Sequence, residues 1–292
     1  MNDYELLDFG SGRRLERFGP IILDRICPAS EGLRKSEPAS WNQADFRFIP
    51  DEKFRKSERG HWMPKISEPW SISFGSLRFE LRGTSFGHLG VFPEQQENWR
   101  RIQSRLEEAI KDRNEPVRVL NLFAYTGGSS MAASLAALPA KSASVEVAHV
   151  DSSKSAVEWA RRNAEQSGIS NGIRYIVEDV RKFVRRELKR DNRYDAVILD
   201  PPSYGHGLKG EAWKILDHLP DLLVDLVAIL SDRPVLFLLT AHTPELDASK
   251  LLQKLFEAGL PDGFENEMIS MNITAKNGRK LPSGFGVFSS YR

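Results

Sequence analysis

The sequence predicts an α/β protein: a largely parallel sheet covered by helices, preceded by a small β domain. Three observations predict it. From Val117 onward, strand-sized apolar runs alternate with helical stretches that carry apolar residues on one face. The last stretch stops alternating and reads as two strands with no helix between them, which makes the sheet mixed. Residues 1–90 instead hold short apolar pieces between Gly, Pro, Trp and charged residues.

In the first part the strand-sized pieces are Tyr4–Phe9, Pro20–Arg25, Trp41–Ile49, Trp70–Phe74 and Leu77–Leu81. The last two alternate apolar and polar residues around Gly75-Ser76, a hairpin signal. Between strands lies Asp51 to Lys65, where Lys53, Arg55, Lys56, Arg59 and Lys65 surround Phe54, His61 and Trp62. Its cations could meet phosphates and its rings could stack on bases. The other reading is a solvated charged loop with Trp62 and Met63 tucked into the small domain, and Asp51, Glu52 and Glu58 dilute the charge. The domain boundary is expected at residues 90/91.

Phe86–Gln96 then runs into a helix over Pro93–Lys111, with Trp99, Ile102, Leu106 and Ile110 at helical spacing and Pro93 in the first turn. The central element is Val117–Phe123, a buried strand, followed by Tyr125-Thr-Gly-Gly128 and a helix over Ser129–Leu138. Glycine permits either a plain tight connection or a turn whose backbone N–H groups meet a ligand at the helix N-terminus. After it come strand Ser144–Val150, helix Ser153–Ser167, strand Gly172–Val177 and helix Val180–Arg190. That last helix turns Val180, Phe183, Val184 and Leu188 inward and Arg181, Lys182, Arg185, Arg186 and Lys189 outward. Strand Tyr194–Leu199, a long helical region through Leu230, strand Pro234–Thr240 and helix Pro244–Ala258 follow. Phe264–Thr274 and Gly284–Tyr291 are the closing strands, joined by a loop over Ala275–Pro282.

Composition sets limits. The chain has 292 residues, enough for one large domain or two ordinary ones. Its 41 Lys and Arg balance 40 Asp and Glu, so global charge argues for no nucleic-acid partner, although a local patch stays open. A single cysteine, Cys27, excludes an intramolecular disulfide or a cysteine zinc cage and fits a reducing compartment. The six His show no metal-ligand spacing. The opening residues lack the basic start and apolar core of a secretory signal, and no run approaches the roughly 20 apolar residues of a bilayer span. A cytoplasmic protein is expected.

Ligands of such sheets bind at the C-terminal strand edges. The first edge carries Phe123, Ala124, Tyr125, Thr126 and Gly127; the second, Asp151 and Ser152; the third, Glu178 and Asp179; the fourth, Asp200, Pro201, Pro202, Ser203 and Tyr204. Three successive strands thus end on an acidic residue. An acidic residue after the second strand, downstream of a glycine turn, suits a ribose diol. Asp179, followed by Val180, could accept from an adenine amino group. A lone acidic strand end is more often a helix N-cap.

With these residues in place, the span from Phe86 resembles the class I S-adenosylmethionine-dependent methyltransferases, with their Rossmann-like fold. More narrowly, it is similar to the bacterial large-subunit ribosomal-RNA methyltransferases acting on cytosine C5 or guanine N7. The matching text is Gly90-Val-Phe-Pro-Glu-Gln95, Leu120-Asn-Leu-Phe-Ala-Tyr-Thr-Gly-Gly128, Val150-Asp-Ser-Ser153 with Ala160-Arg-Arg-Asn163, Glu178-Asp179 and Asp200-Pro-Pro-Ser-Tyr204. The resemblance implies a seven-stranded mixed sheet ending in the antiparallel hairpin, and S-adenosyl-L-methionine as cofactor. It implies Asp151 on the ribose, Asp179 on the adenine edge, Tyr125–Gly127 along the methionine part and Asp200–Pro202 at the reacting centre. Phe92 and Gln95 join the expected cofactor set, with Phe123, Ala124, Ser152, Val180, Asp200 and Pro201. Residues 1–90 match less well and are expected on the substrate or RNA side of a methyltransferase domain at 91–292.

Asp200 and Tyr204 are the expected catalytic residues, Asp200 meeting a base's nitrogen edge and Tyr204 stacking on its face. The expected substrate is a nucleobase in RNA; a small molecule, a protein, or a non-catalytic RNA-binding scaffold are the alternatives. A nicotinamide enzyme would need Gly-x-Gly-x-x-Gly, where Tyr125-Thr-Gly-Gly-Ser stands. Methylating cytosine C5 usually needs a cysteine thiolate to activate the ring. The stretch after the fifth strand, Leu239-Thr-Ala-His-Thr-Pro244, has none. Direct transfer to an atom with its own lone pair, without a cysteine adduct, is therefore expected.

Overall fold

The computed structural model describes residues 3–51, 59–111, 113–137, 144–206, 210 and 212–291. The chain divides into two compact units, residues 1–94 with 272–283, and residues 95–271 with 284–292. The chain therefore enters the first unit twice, the second time with the tip of the C-terminal hairpin. Patterning along the chain cannot see such a return.

In the first unit five strands form one sheet: β1 (Tyr4–Gly10), β2 (Arg13–Phe18), β3 (Ile21–Ile26), β4 (Phe46–Pro50) and β5 (Gly60–Met63), in that order. β6 (Trp70–Phe74) and β7 (Leu77–Leu81) pair as the expected hairpin. β2 escaped the sequence reading because four of its six residues are charged, RRLERF. Its Glu16 is fully buried, yet it is satisfied there by Arg25 at 2.7 Å and by the Tyr4 hydroxyl at 3.0 Å. The expected strand Trp41–Ile49 is shorter: Pro38 starts a 3-10 turn through Gln43, and only Phe46–Pro50 is extended. Leu6, Phe9 and Cys27 pack with Ile273, Ala275 and Leu281 of the returning segment.

Part of the expected basic loop, Lys53, Phe54, Arg55 and Lys56 with Glu52 and Glu58, lies outside the described residues. The described part settles Trp62. It is buried on β5, its indole N–H donates to the Thr84 carbonyl at 2.9 Å, and its ring meets Phe48 edge-on. It is core, not a stacking platform.

The second unit opens with α1 (Gln96–Lys111) and continues β8 (Val117–Leu122), α2 (Gly128–Leu135), β9 (Val145–Asp151), α3 (Lys154–Gln166), β10 (Ile173–Val177) and α4 (Val180–Lys189). β11 (Ala196–Leu199) leads not directly into helix but into a small ribbon, β12 (Tyr204–His206) with β13 (Ala212–Lys214), before α5 (Ile215–Ala228). β14 (Leu236–Ala241), α6 (Ala248–Glu257), β15 (Phe264–Thr274) and β16 (Lys280–Tyr291) complete it. The sheet order is β10-β9-β8-β11-β14-β16-β15. The first five are parallel neighbours and β16 runs antiparallel to β14.

Both sheet faces are apolar. Leu120 and Leu122 pack with α4, α5 and α6, whereas Val117 and Val119 pack with α1 and α2. That two-sided burial is why β8 reads as a continuous apolar run. On α4 the inward residue is Glu187 rather than Leu188. Glu187 is buried and accepts from the Tyr194 hydroxyl at 2.8 Å and from Asn192 at 3.0 Å. Leu188 is half-buried at the rim of the same core. The basic side of α4 is partly neutralised: Arg186 pairs with Glu178, Arg185 with Asp225 and Arg181 with Asp179.

No helix among the described residues is long and apolar enough to cross a membrane. Among them there is also no group of three or more His, Cys, Asp or Glu placed to hold a metal ion.

Candidate active site

The strand order reverses at β8: β9 and β10 lie on one side and β11 and β14 on the other. The crevice of a parallel sheet opens at such a switch point, at the carboxyl ends of the strands. Two sequence stretches stand there, the turn after β8 and the Asp-Pro-Pro stretch after β11.

The turn after β8 is strained. Phe123 and Tyr125 have φ of 52° and 47°, and Gly127 has φ of 90°. Left-handed conformations at non-glycine residues cost on the order of 1–3 kcal/mol and cluster at ligand sites. A Cβ on Gly127 would come within 3.1 Å of Ala160 Cβ, and one on Gly128 within 2.7 Å of the Trp99 ring. These glycines let the backbone pack against α3 and α1 while α2 begins immediately behind. The Asn163 amide donates to the Thr126 carbonyl at 2.9 Å and holds the turn from α3.

Beneath the turn runs a buried polar chain that sequence reading missed. Asn121 donates to Ser130 Oγ at 2.8 Å, and Ser130 Oγ lies 3.0 Å from His149 Nδ1. Burial first, and then the charge of Arg161, pushes the His149 imidazole down to about 3. His149 is therefore neutral and acts as a fixed hydrogen-bonding support under the turn.

Asp151 ends β9. Its two carboxylate oxygens accept from Tyr125 N at 2.9 Å and Ser153 N at 2.8 Å. Burial raises its carboxyl above the usual range, against the two backbone donors. Each oxygen has a further lone pair, which is what a vicinal diol needs. Ser152 beside it is half-buried. Asp179 caps α4, accepting from Lys182 N at 3.1 Å, so the N-cap reading applies to it; Val180 behind it is buried.

Asp200 ends β11 and is the most heavily held carboxylate of the crevice. Gln95 donates to Oδ2 at 2.9 Å, Thr240 to Oδ1 at 2.7 Å, and His242 Nε2 lies 3.4 Å from Oδ1. Asn98 in turn donates to Gln95 Oε1 at 2.7 Å, fixing the amide so that its NH2 faces Asp200. Burial opposes the charge, but the His242 charge and the three side-chain donors outweigh it and hold the carboxyl below the usual range. The structure thus places Gln95, expected on the cofactor, on Asp200. Phe92 belongs to the first unit, where its ring meets His88 edge-on.

Beyond Asp200, Pro201 is buried and the Pro202 carbonyl accepts from the Trp213 indole at 2.6 Å. Trp213 also covers Phe123, with ring centroids 4.8 Å apart. Ser203 Oγ meets Thr243 Oγ1 at 2.7 Å. Tyr204, at the start of the ribbon, is 75% exposed. Thr240 and His242 were further omissions of the sequence reading. Reading the fifth strand's edge as the first four were read would have found them, since β14 lies beside β11.

These residues fit S-adenosylmethionine: a glycine turn too close-packed for a Cβ, a held carboxylate with spare lone pairs, and a polar edge at Asp200. A family model described as S-adenosylmethionine-dependent methyltransferase matches residues 30–255. The ribosomal RNA large subunit methyltransferase I of Aeromonas salmonicida is 28% identical over 205 residues, covering 68% of this chain and 48% of that protein. The chain therefore spans about half the length of that curated relative. The solved structure of an S-adenosylmethionine-dependent methyltransferase from Agrobacterium tumefaciens superimposes with a TM-score of 0.86 at 33% identity, covering 99% of this chain and 90% of the other. A putative methyltransferase solved in complex with SAH shares the fold, with a TM-score of 0.71 at 14% identity, covering 100% and 76% of the two chains. The chain belongs to the S-adenosylmethionine-dependent methyltransferase family, and its cofactor is S-adenosylmethionine.

Proposed function

We propose that the protein methylates a nucleobase of RNA, in the large ribosomal subunit, by direct transfer to a nitrogen without a cysteine adduct. The observation that carries this reading is the Asp200–Tyr204 stretch: a carboxylate held by three side chains, followed four residues later by an exposed tyrosine. A carboxylate can accept from a base's nitrogen edge while a ring holds the base flat. The relatives named as ribosomal RNA large subunit methyltransferases support the choice of RNA, and a cytoplasmic activity goes with that reading. The first unit is assigned to the substrate side. Cys27, the one cysteine of the sequence, is 7% exposed among Leu6, Phe9 and Leu281 of that unit. A buried thiol in apolar surroundings is a packing residue rather than a nucleophile.

The cofactor supplies a methyl already activated on a sulfonium, so the protein's task is alignment. In this reading Asp151, with Ser152 beside it, holds the ribose, and Asp179 and Val180 meet the adenine. Phe123, Ala124, Tyr125, Thr126 and Gly127 flank the methionine part, with Pro201 completing the set. The test is transfer of labelled methyl to total RNA followed by nucleoside analysis. A nitrogen-methylated base is expected, with Cys27→Ser turning over like the wild type. A covalent adduct trapped on fluorinated cytosine RNA would overturn direct transfer, and unlabelled RNA would overturn the substrate.

The ribose role has its own measurement. Losing a charge-assisted contact costs roughly 1.5–3 kcal/mol, about ten- to a hundredfold in affinity. Calorimetry on Asp151→Ala should show that loss, partly because Tyr125 N also loses its acceptor. Wild-type affinity would remove Asp151 from the ribose.

A further inference from the structure

We infer that His242 is the proton acceptor of the reaction, so that the atom methylated is a nitrogen that carries a hydrogen, an exocyclic amine or a ring N–H. This rests on the reading of Asp200 as the residue that anchors the acceptor base.

His242 follows the last residue of β14 and stands at the sheet edge beside Asp200, whose strand β11 neighbours β14. Its Nε2 lies 3.4 Å from Asp200 Oδ1. The pair is open to one side: the side chains are 36% and 28% exposed. Elsewhere it is enclosed. Thr240 donates to the same Oδ1 at 2.7 Å, and Gln95 closes Oδ2 at 2.9 Å. On the β16 side the ring packs onto Gly284, which has φ of 115° and where a Cβ would lie 3.0 Å from His242 Nδ1. Among these named neighbours, from β11, β14, the residue before α1 and β16, Asp200 carries a titratable group and Thr240, Gln95 and Gly284 do not.

The chemistry assigns the work. The acceptor nitrogen's lone pair forms the new N–C bond as the C–S bond breaks, its electron pair staying on sulfur. A nitrogen that began with a hydrogen is then left cationic and must release that proton. With Nε2–H turned to Asp200 Oδ1, the Nδ1 of a neutral imidazole is the atom that takes it, the ring becoming imidazolium, and the Asp200 carboxylate balances the new charge. The arrangement is that of a histidine oriented by an aspartate. A ring nitrogen without a hydrogen, such as purine N7, has no proton to release and would need no such pair.

The sign of the pH dependence follows. Imidazolium cannot accept a proton, so single-turnover rate should fall as pH drops through the His242 titration. Removing the Asp200 charge weakens the imidazolium, so the titration should move to lower pH.

The test pairs imidazole NMR with single-turnover kinetics on RNA at saturating cofactor. In the wild type the His242 resonance, identified by its loss in His242→Gln, should titrate at the midpoint of the acid limb. In Asp200→Asn that resonance should titrate at lower pH, a readout that needs no turnover. His242→Gln should lose about a hundredfold in rate and lose the acid limb, while calorimetric cofactor affinity stays within about twofold. An acid limb retained in His242→Gln, an imidazole midpoint unmoved in Asp200→Asn, or methylation at a nitrogen without a hydrogen would each overturn the proposal. Wild-type inactivity on every RNA fraction, by contrast, would overturn the substrate reading itself and the role argued from it.

Discussion

Asp200→Ala should lower turnover by about ten- to a hundredfold, the factor expected when a charge-assisted positioning contact of about 1.5–3 kcal/mol is lost in the transition state. The structure makes the loss more than one missing contact. Thr240 and Gln95 both donate to this carboxylate, and His242 stands at ion-pair distance from it. Alanine takes the carboxylate from all three in a largely enclosed edge, with the weaker 3.3 Å bond from Gln95 to Thr240 remaining. Asp200→Asn is the informative companion. Its shape is preserved and its oxygen can still accept from Gln95, but its NH2 then turns toward Thr240 and His242 and the charge that faces His242 is gone. Asparagine should therefore rescue little. Turnover should fall much further than cofactor affinity in both variants, because Asp151 and the strained turn are untouched. Measuring turnover and calorimetric affinity side by side checks this, and wild-type turnover in Asp200→Ala would remove Asp200 from the reacting centre.

Glu16→Ala should be the most damaging single change to stability, at about 3–5 kcal/mol, the cost of stripping a buried charge of its partner. Glu16 is fully buried on β2. It accepts from Arg25 Nε at 2.7 Å and from the Tyr4 hydroxyl at 3.0 Å, with Arg14 Nε at 3.2 Å. Arg25 is itself only 3% exposed and ties the cluster to the Gly87 carbonyl at 3.2 Å. Among the described residues Arg25 Nη2 and Arg14 Nε already lack a hydrogen-bond partner. Removing the carboxylate would leave two guanidinium groups facing each other in the sheet. Burial works against the Glu16 charge, but the two arginines and the hydrogen bonds win and hold its carboxyl below the usual range. Its contribution is thus complete above the ordinary glutamate value and is lost as pH falls through the lower folded value. Hydrogen exchange of the first unit, followed against pH, checks both points: Glu16→Ala should open this unit at neutral pH and lose the wild type's acid sensitivity. Unchanged protection in the variant would show that the cluster contributes nothing net.

Glu16 also explains where sequence reading stopped. β2 carries too much charge to register as a strand, because its ions are matched by residues on β1 and β3 that no local window contains. Glu187 on α4 is the same case. Its partner Tyr194 lies on the far side of a turn, so a carboxylate fills the fully buried position beside Leu188, which packs on the rim of the core. The Asp179 carboxylate caps α4, because Lys182 N is within reach of Oδ1 by helix geometry alone, and that bond leaves Oδ2 for the adenine contact proposed for it. The β6–β7 hairpin and β15, by contrast, fall on the residues expected.

By itself the sequence determined the alternation of strands and helices, the closing pair of strands, the glycine turn after β8 and the acidic residues at three strand ends. All of these are set by neighbours within a few residues, through side-chain periodicity and the backbone freedom of glycine. Tertiary structure alone decided what those edges do together. The order β9-β8-β11-β14 brings Asp200 beside the glycine turn and sets the end of β14 against it. Gln95 meets Thr240 across a sequence separation of 145 residues, and Asp200 meets Thr240 across 40. Periodicity says which face of a strand is buried but not which strand lies next to it. A polar network that joins the ends of three elements therefore exists only once the sheet has chosen its neighbours.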